Sequence, residues 1–208
     1  MDYYYGKVSG NSSRVAFCLN EIGAPYTAHY LDTKAGENQR PEYLSVNPMG
    51  KIPALKDGGF ALWESNAINW YLAEKFPEKR LIPGTIEGRA DVHRWLFFQA
   101  AHVTPACVPV FRATNPRVIA FWGQGSPESA DRGRKELARY LPVIEERLQG
   151  REWLADQFSL ADIAFVPHLW CVKGGNFDFS PYPNLSAWLD KLTSRAAWKK
   201  AEEMVFGT

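Results

Sequence analysis

The spacing of apolar residues changes character partway along the chain. Through roughly the first eighty residues, strand-like runs and helix-like stripes take turns. Tyr3–Tyr5 read as a strand, and Val15, Cys18, Leu19 and Ile22 follow the i, i+3, i+4, i+7 spacing of one helix face. Gly23 then stands where a helix C-cap belongs, and Pro25 blocks continuation. Tyr26 to Leu31 read as a second strand. A helix that returns the chain between two strands favours a parallel β-α-β unit. The polar stretch DTKAGENQRPEYLSVNPMG has room for at most one short helix. IPAL, then Asp57-Gly58-Gly59, then FALW read as a β-hairpin. Ile68, Leu72 and Phe76 put one apolar face on the helix that follows. The expected order is β-α-β, a long connection, then β-β-α, a mixed four-stranded sheet with helices on its faces.

The stretch FPEKRLIPGTIEG, residues 76–88, has two prolines, two glycines and no periodicity. It contains the expected linker, 79–85, between a first domain at 1–78 and a second at 86–208. Beyond it the strand signals stop. ADVHRWLFFQAAHV is a strongly aromatic helix pattern, and WGQGSPESADRG reads as a loop. Leu137, Leu141, Ile144 and Leu148 form a helix face, with Pro142 placed to kink or break it. FSLADIAF opens another helix, and Leu185, Trp188, Leu189 and Leu192 mark the last clear one. The fold class expected is therefore α/β followed by all-α.

Composition narrows the function without naming it. Apolar residues make up 46% of the 208 and charged residues 23%, as in ordinary globular proteins. The net charge is +1, with no basic or acidic block, so nothing directs the chain to nucleic acid or an anionic membrane. No apolar run is long enough for a membrane span, and MDYYYGKVSG lacks the regions of a signal peptide. Cys18, Cys107 and Cys171 are far apart, with no CxxC, and read as reduced thiols of a cytoplasmic protein. Eight tryptophans hint at an apolar pocket, although core packing accounts for them equally well. Four scattered histidines suggest no metal site.

One polar cluster stands out. Between the first strand and the first helix lie Ser9, Gly10, Asn11, Ser12 and Ser13, with the helix expected to begin near Ser13. Backbone N–H groups at such a start lack internal partners and favour an anion. A cap by Ser12 or Asn11 is the plain reading, but one cap needs one such residue. Pro53 opens the hairpin and suits an edge strand, leaving the Ile52 backbone available to an extended peptide. Glu64 and Ser65 start the third helix, where a hydroxyl and N–H groups suit a carboxylate and Glu64 suits an ammonium. Together these describe a site for a small zwitterionic peptide.

At these residues the chain resembles a soluble glutathione transferase. Ser9 followed by Arg14-Val15 is similar to the Ser-x-x-x-x-Arg-Val pattern of serine-type classes such as phi and theta. AGENQRPEYLSVNPMGKIPAL and ALWESNAINWYL resemble the family's glutathione-site segments, and REWLADQFSLADIAF its C-terminal capping-box helix. The resemblance covers essentially the whole chain. It implies a thioredoxin-like N-terminal domain, an all-α C-terminal domain, a homodimer, and glutathione as co-substrate with no resident cofactor or metal. Position by position it implies that Ser9 hydrogen-bonds the glutathione sulfur, with Asn11 beside it because bacterial relatives with SGN are similar there. Lys51, Ile52 and Pro53 match the segment at the family's cis-proline, with the Ile52 backbone pairing the cysteinyl unit. Glu64 and Ser65 match the pair that holds the γ-glutamyl end. Asn38 and Gln39 stand where many relatives have His or Lys near the glycyl carboxylate, so Gln39 is a candidate there and Arg40 or Lys34 could substitute. Tyr5 is a fallback for the sulfur contact and otherwise packs the sheet.

An apolar electrophile is expected between the domains, with Val8, Trp95, Phe98 and His102 as candidate walls. Helix-bundle core accounts equally well for Trp95 and Phe98, and a structural or exposed role for His102. Ser159–Asp162, SLAD, reads as a capping box and nothing more. Two other functions fit the same resemblance: glutathione-dependent reduction of a disulfide or peroxide, and a non-catalytic binding or dimerisation module. Ser9 and Ser12 stand at CxxC spacing, so glutathione would have to supply every sulfur in the reduction.

Overall fold

Four short strands organise the N-terminal region. In the computed structural model, which describes residues 1–207, β1 (Asp2–Tyr5) lies parallel to β2 (Thr27–Tyr30) and antiparallel to β3 (Ala54–Asp57). β3 pairs antiparallel with β4 (Phe60–Trp63), so the sheet order is β2-β1-β3-β4. Tyr3 faces Ala28 on one side and Leu55 on the other and is fully buried. Asp57 faces Phe60, which leaves Gly58 and Gly59 as a two-residue turn with Gly58 at φ 59°, where a side chain would be strained. β3 is thus an interior strand, whereas the sequence reading had put Pro53 on an edge. Pro53 stands one residue ahead of β3, where its missing N–H removes no ladder bond.

Helix α1 (Gly10–Ile22) joins β1 to β2 and ends at Gly23, whose φ of 71° is the left-handed cap expected of it. The connection to β3 holds a 3-10 turn, Glu37–Gln39, and α2 (Pro41–Leu44), one element more than expected. Helix α3 (Ser65–Lys75) follows β4. α1 is buried continuously from Ser12 to Leu19, which requires cover on more than one side. α3 supplies part of that cover, and α10 (Ala196–Phe206) supplies more. The Trp198 ring meets Phe17 edge-on at 5.6 Å, and Asn20 Nδ2 donates to the Ala197 carbonyl at 3.2 Å. The Val8 N–H donates to the Val205 carbonyl at 2.9 Å.

The chain forms two compact units: Met1–Lys79 with the segment from Ala196 onward, and Arg80–Arg195. The sequence reading had run the helical domain from 86 to the C-terminus. The last helix expected from the sequence is the one through Leu192, so α10 is an added element; it buries Trp198, Ala201 and Val205, and nothing local names the surface that covers them.

The second unit contains α4 (Ile86–Phe98), a π-helical turn at Gln99–Val103, α5 (Thr104–Thr114), α6 (Pro116–Trp122), α7 (Pro127–Leu148), α8 (Leu160–Lys173) and α9 (Pro183–Thr193). α8 is buried from Leu160 to Leu169 without a break and packs against α4, α5 and α9. α7 begins inside the stretch read as a loop, with the Ser126 side chain accepting the Ser129 N–H. Gly133 explains the misreading. A Cβ there would lie 2.6 Å from the Ala106 carbonyl, so the glycine lets α7 lie close to α5. Pro142 is exposed, and α7 runs through it without a break.

Candidate functional site

The polar cluster sorts itself by burial. Ser9, not Ser12 or Asn11, is the N-cap of α1, and the helix starts three residues earlier than expected. Its backbone is extended, its carbonyl accepts the Ser13 N–H at 2.9 Å, and its Oγ accepts the Ser12 N–H at 3.2 Å. An oxygen that accepts this way keeps its own hydrogen to donate. Ser12 and Ser13 are fully buried. Ser12 Oγ accepts the Gly6 N–H at 3.3 Å, its carbonyl accepts the Tyr3 hydroxyl, and Ser13 Oγ donates to the Gly10 carbonyl at 3.1 Å. Of the four small polar side chains, Ser9 and the exposed Asn11 stay at the surface of the helix start. The first turn of α1 contains no carboxylate, so the helix end keeps its partial positive charge.

A buried guanidinium ties this turn to α3. Arg14 Nη1 donates to Asn11 Oδ1 at 3.0 Å and to Ser65 Oγ at 2.6 Å. Asn69 Nδ2 on α3 donates to the Arg14 carbonyl at 3.3 Å. Burial pushes Arg14 down to about 9 and the Glu64 charge works against that, so it remains a cation at neutral pH. Glu64 is exposed, at φ 71°, and directly precedes α3. Val8, a β-branched residue, has φ 50° just before Ser9. Strained backbone therefore stands immediately before both helix starts.

The third element is the segment before β3. The Ile52–Pro53 peptide bond is cis, and Pro53 is buried. The Ile52 side chain lies against the Gly6 backbone, where an added Cβ would meet it at 3.1 Å. This brings Ile52 beside the loop that carries Ser9. The Lys51 side chain is exposed, while its carbonyl accepts Tyr43 Oη and Asn47 Nδ2. Asn38 Nδ2 and Gln39 Nε2 both donate to the Gly50 carbonyl, at 2.6 and 2.9 Å. The two amides thus brace the turn before Lys51, and one donor of Gln39 is already committed. Arg40 is exposed and pairs with Glu37 at 3.3 Å, and Lys34 is exposed. Tyr5 stacks on Tyr3 at 5.7 Å and tilts against Tyr30, in keeping with a sheet-packing role.

Ser9, Asn11, Ile52, Pro53, Glu64 and Ser65 all belong to the first unit, as do Lys51, Gln39 and Val8. Trp95, Phe98 and His102 belong to the second. Trp95 is 4% exposed and meets Phe98 and Phe165 edge-on. Phe98 also contacts Tyr140 and His102, and His102 is exposed. Trp95 is buried and Phe98 half-buried, and both line a groove of about 500 Å³, with Arg94, Val143, Glu146, Arg147 and Arg151 around them. In the sequence Arg14 stands out only as part of the Ser-x-x-x-x-Arg-Val pattern. A charge four residues before Cys18, on the buried stripe of an amphipathic helix, was the signal that it has structural partners.

The sequence and the fold both have close counterparts. Residues 2–74 match the family described as glutathione S-transferase, N-terminal domain, and residues 86–196 match its C-terminal domain. Glutathione S-transferase F10 of Arabidopsis thaliana is 37% identical over 204 residues, covering 94% of each chain. Glutathione S-transferase 3 of Zea mays is 33% identical, covering 93% of this chain and 89% of that one. Among solved structures, glutathione S-transferase-I bound with lactoylglutathione superposes with a TM-score of 0.87 at 30% identity, over 96% of this chain and 97% of that one. The glutathione transferase URE2P6 from Phanerochaete chrysosporium, in complex with oxidized glutathione, gives 0.85 at 32% identity, over 98% and 94%.

Proposed function

The chain belongs to the glutathione S-transferase family, and from that premise we propose that it binds glutathione in its N-terminal unit and holds the thiol ionised for attack on an apolar electrophile. The observation that carries the reading is the Ser9 hydroxyl. It caps α1 through its oxygen lone pair and keeps a proton to donate, at a helix end with no carboxylate. A free cysteine-type thiol titrates at about 8.5, so it is mostly protonated at neutral pH. Lowering it by roughly two units needs about 2.7 kcal/mol in favour of the anion. One hydrogen bond to a charged group contributes about 1.5–3 kcal/mol. The helix end adds up to about 1 kcal/mol. No general base is needed.

The remaining contacts hold the peptide. The Ile52 backbone pairs the cysteinyl unit. Glu64 takes the γ-glutamyl ammonium, while Ser65 and the N–H groups that begin α3 take its carboxylate. Lys51 and Gln39 flank the glycyl end. In the second unit, the aromatic face of Trp95, Phe98 and His102 is the candidate surface for the electrophile. The working form is a cytoplasmic homodimer. Three buried cysteines outside any disulfide suit a reducing compartment, and exposed Ile86 and Phe97 on α4 suit a protein contact.

The test is the thiolate absorbance of glutathione titrated against pH with and without the protein. A thiol pKa lowered by one to two units on binding is expected. Binding with no shift would overturn thiol activation and leave a glutathione-binding module.

A further inference from the structure

We infer that Arg14 is a positioning residue that makes both anion contacts of the site into donors, turning the Asn11 amide nitrogen and the Ser65 hydroxyl toward the ligand. The inference rests on the proposed glutathione site and deepens it. Arg14 is 3% exposed and cannot itself lie against a ligand as a surface cation. It acts through two neighbours from one nitrogen. One N–H of Nη1 engages Asn11 Oδ1 at 3.0 Å and the other engages Ser65 Oγ at 2.6 Å.

The consequence follows from the chemistry of the two acceptors. An asparagine amide has its oxygen and its nitrogen on opposite sides of Cγ. With Oδ1 held inward by a buried cation, the NH2 group faces the other way, on the exposed side of the residue. A serine oxygen can both accept and donate. With a lone pair of Ser65 Oγ held by Arg14, its proton is left to donate elsewhere. Unaided, each side chain could present either polarity. A buried cation holds one acceptor site of each and so turns both toward donating, which suits a thiolate near Ser9 and Asn11 and a carboxylate near Ser65. Because one guanidinium holds both, the two contacts are coupled. The cation also opposes no charge that either ligand group carries. Asn69 supports this arrangement by donating to the Arg14 carbonyl from α3, which fixes the backbone that bears the guanidinium.

The experiment uses the full chain and reads two quantities, the pKa of protein-bound glutathione and KM for glutathione. In Arg14→Met the bound thiol pKa is expected to rise by about one unit, and KM to rise about tenfold, because one charge-assisted contact is lost at each end. A folded Arg14→Met protein with wild-type values in both, and only a lower melting temperature, would reduce Arg14 to a structural role and overturn the inference. If that variant does not fold, Arg14→Lys and Asn11→Ala decide, singly and combined. Arg14→Lys should raise the thiol pKa in the wild-type background and leave it unchanged in the Asn11→Ala background, since the effect passes through Asn11. Additive shifts would overturn the inference. A wild-type protein that binds glutathione with no pKa shift instead overturns the proposed function, so the two failures are told apart by the wild-type titration alone.

Discussion

Two of the serines that cap helices in this protein, Ser9 and Ser159, do opposite things with their hydroxyl. Ser9 starts α1 in the first unit, and Ser159 starts α8 in the second. Both serine oxygens accept a backbone N–H of the first turn, at 3.2 Å in each case. At α8 the box is closed by Asp162. Its carboxylate accepts the Ser159 N–H at 2.9 Å, the Leu154 N–H at 3.0 Å and Trp188 Nε1 at 3.0 Å, and it also accepts the Ser159 hydroxyl. Ser159 and Asp162 are fully buried. At α1 no carboxylate enters the first turn, and the serine proton is left to donate. A cap that contains its own anion is finished as structure. A cap that lacks one is ready for an anion from outside.

The largest effect should come from removing the anion that closes the α8 box. Asp162→Ala leaves three buried N–H donors and the Ser159 hydroxyl without their acceptor, and should cost about 3–5 kcal/mol. Chemical denaturation would measure this, and whatever protein folds should bind glutathione with wild-type affinity. Selective loss of affinity in a stable variant would break the contrast, because it would give the α8 box a part in the ligand site. The same carboxyl carries a pH signature. Burial raises it from 3.8 to about 6, and its hydrogen bonds only partly offset that. Between those values the folded protein holds a proton that the unfolded chain has released, so its contribution falls as pH rises from about 4 to about 6, by up to about 3 kcal/mol. The stability of wild type minus that of Asp162→Asn, measured across this range, should therefore decline with pH. A flat or rising difference would place the folded carboxyl at or below its ordinary value.

A smaller effect on stability, but a larger one on chemistry, is expected at the open cap. Ser9→Ala removes one contact to the thiolate and should lower kcat about 10–100-fold, corresponding to about 1.5–3 kcal/mol. KM for glutathione should hardly move, because the peptide's ends keep their partners. The lost cap costs about 1 kcal/mol of stability. Ser159→Ala should give the reverse pattern, lower stability with kcat intact in the folded fraction. Steady-state kinetics and melting curves on the two alanine variants sharpen the comparison. Equal kcat for wild type and Ser9→Ala would move the sulfur contact to Asn11.

How much of this was readable in the sequence differs between the two units. Strand and helix order from β1 to α3 followed from local signals, among them the Gly58-Gly59 turn, the Gly23 cap and the stripe from Val15 to Ile22. Whether β3 lay at an edge did not, because pairing order is a long-range property. The capping box of α8 was legible because both partners are three residues apart. The start of α1 was placed three residues late because Ser9, Asn11, Ser12 and Ser13 are all good caps, and only burial tells them apart. The bond from Arg14 to Ser65 spans 51 positions, and no local pattern encodes it. Gly133 was misread because a glycine that admits a neighbouring helix looks, in one dimension, like a glycine that ends one. α10 was not read as a helix, and its cover lies on α1, a pairing that no local pattern encodes.

The smallest expected effect concerns sulfur, and it bears on which kind of anion site α1 offers. Had the open cap been built for a protein thiolate, a cysteine would occupy it, as in a Cys-x-x-Cys helix start. Here Ser9 and Ser12 stand at that spacing, and the three cysteines lie elsewhere and are buried. Burial pushes the thiols of Cys18 and Cys107 far above their ordinary value, so neither is a nucleophile at neutral pH. Treating the native protein with a thiol-alkylating reagent, then removing the reagent before glutathione is added, should leave turnover unchanged. The same treatment in denaturant should modify all three. Loss of turnover on native treatment would put a protein thiol into the reaction and would favour a redox cycle over conjugation. An unchanged rate leaves the sulfur chemistry entirely to glutathione, held at a helix start whose own residues carry no anion.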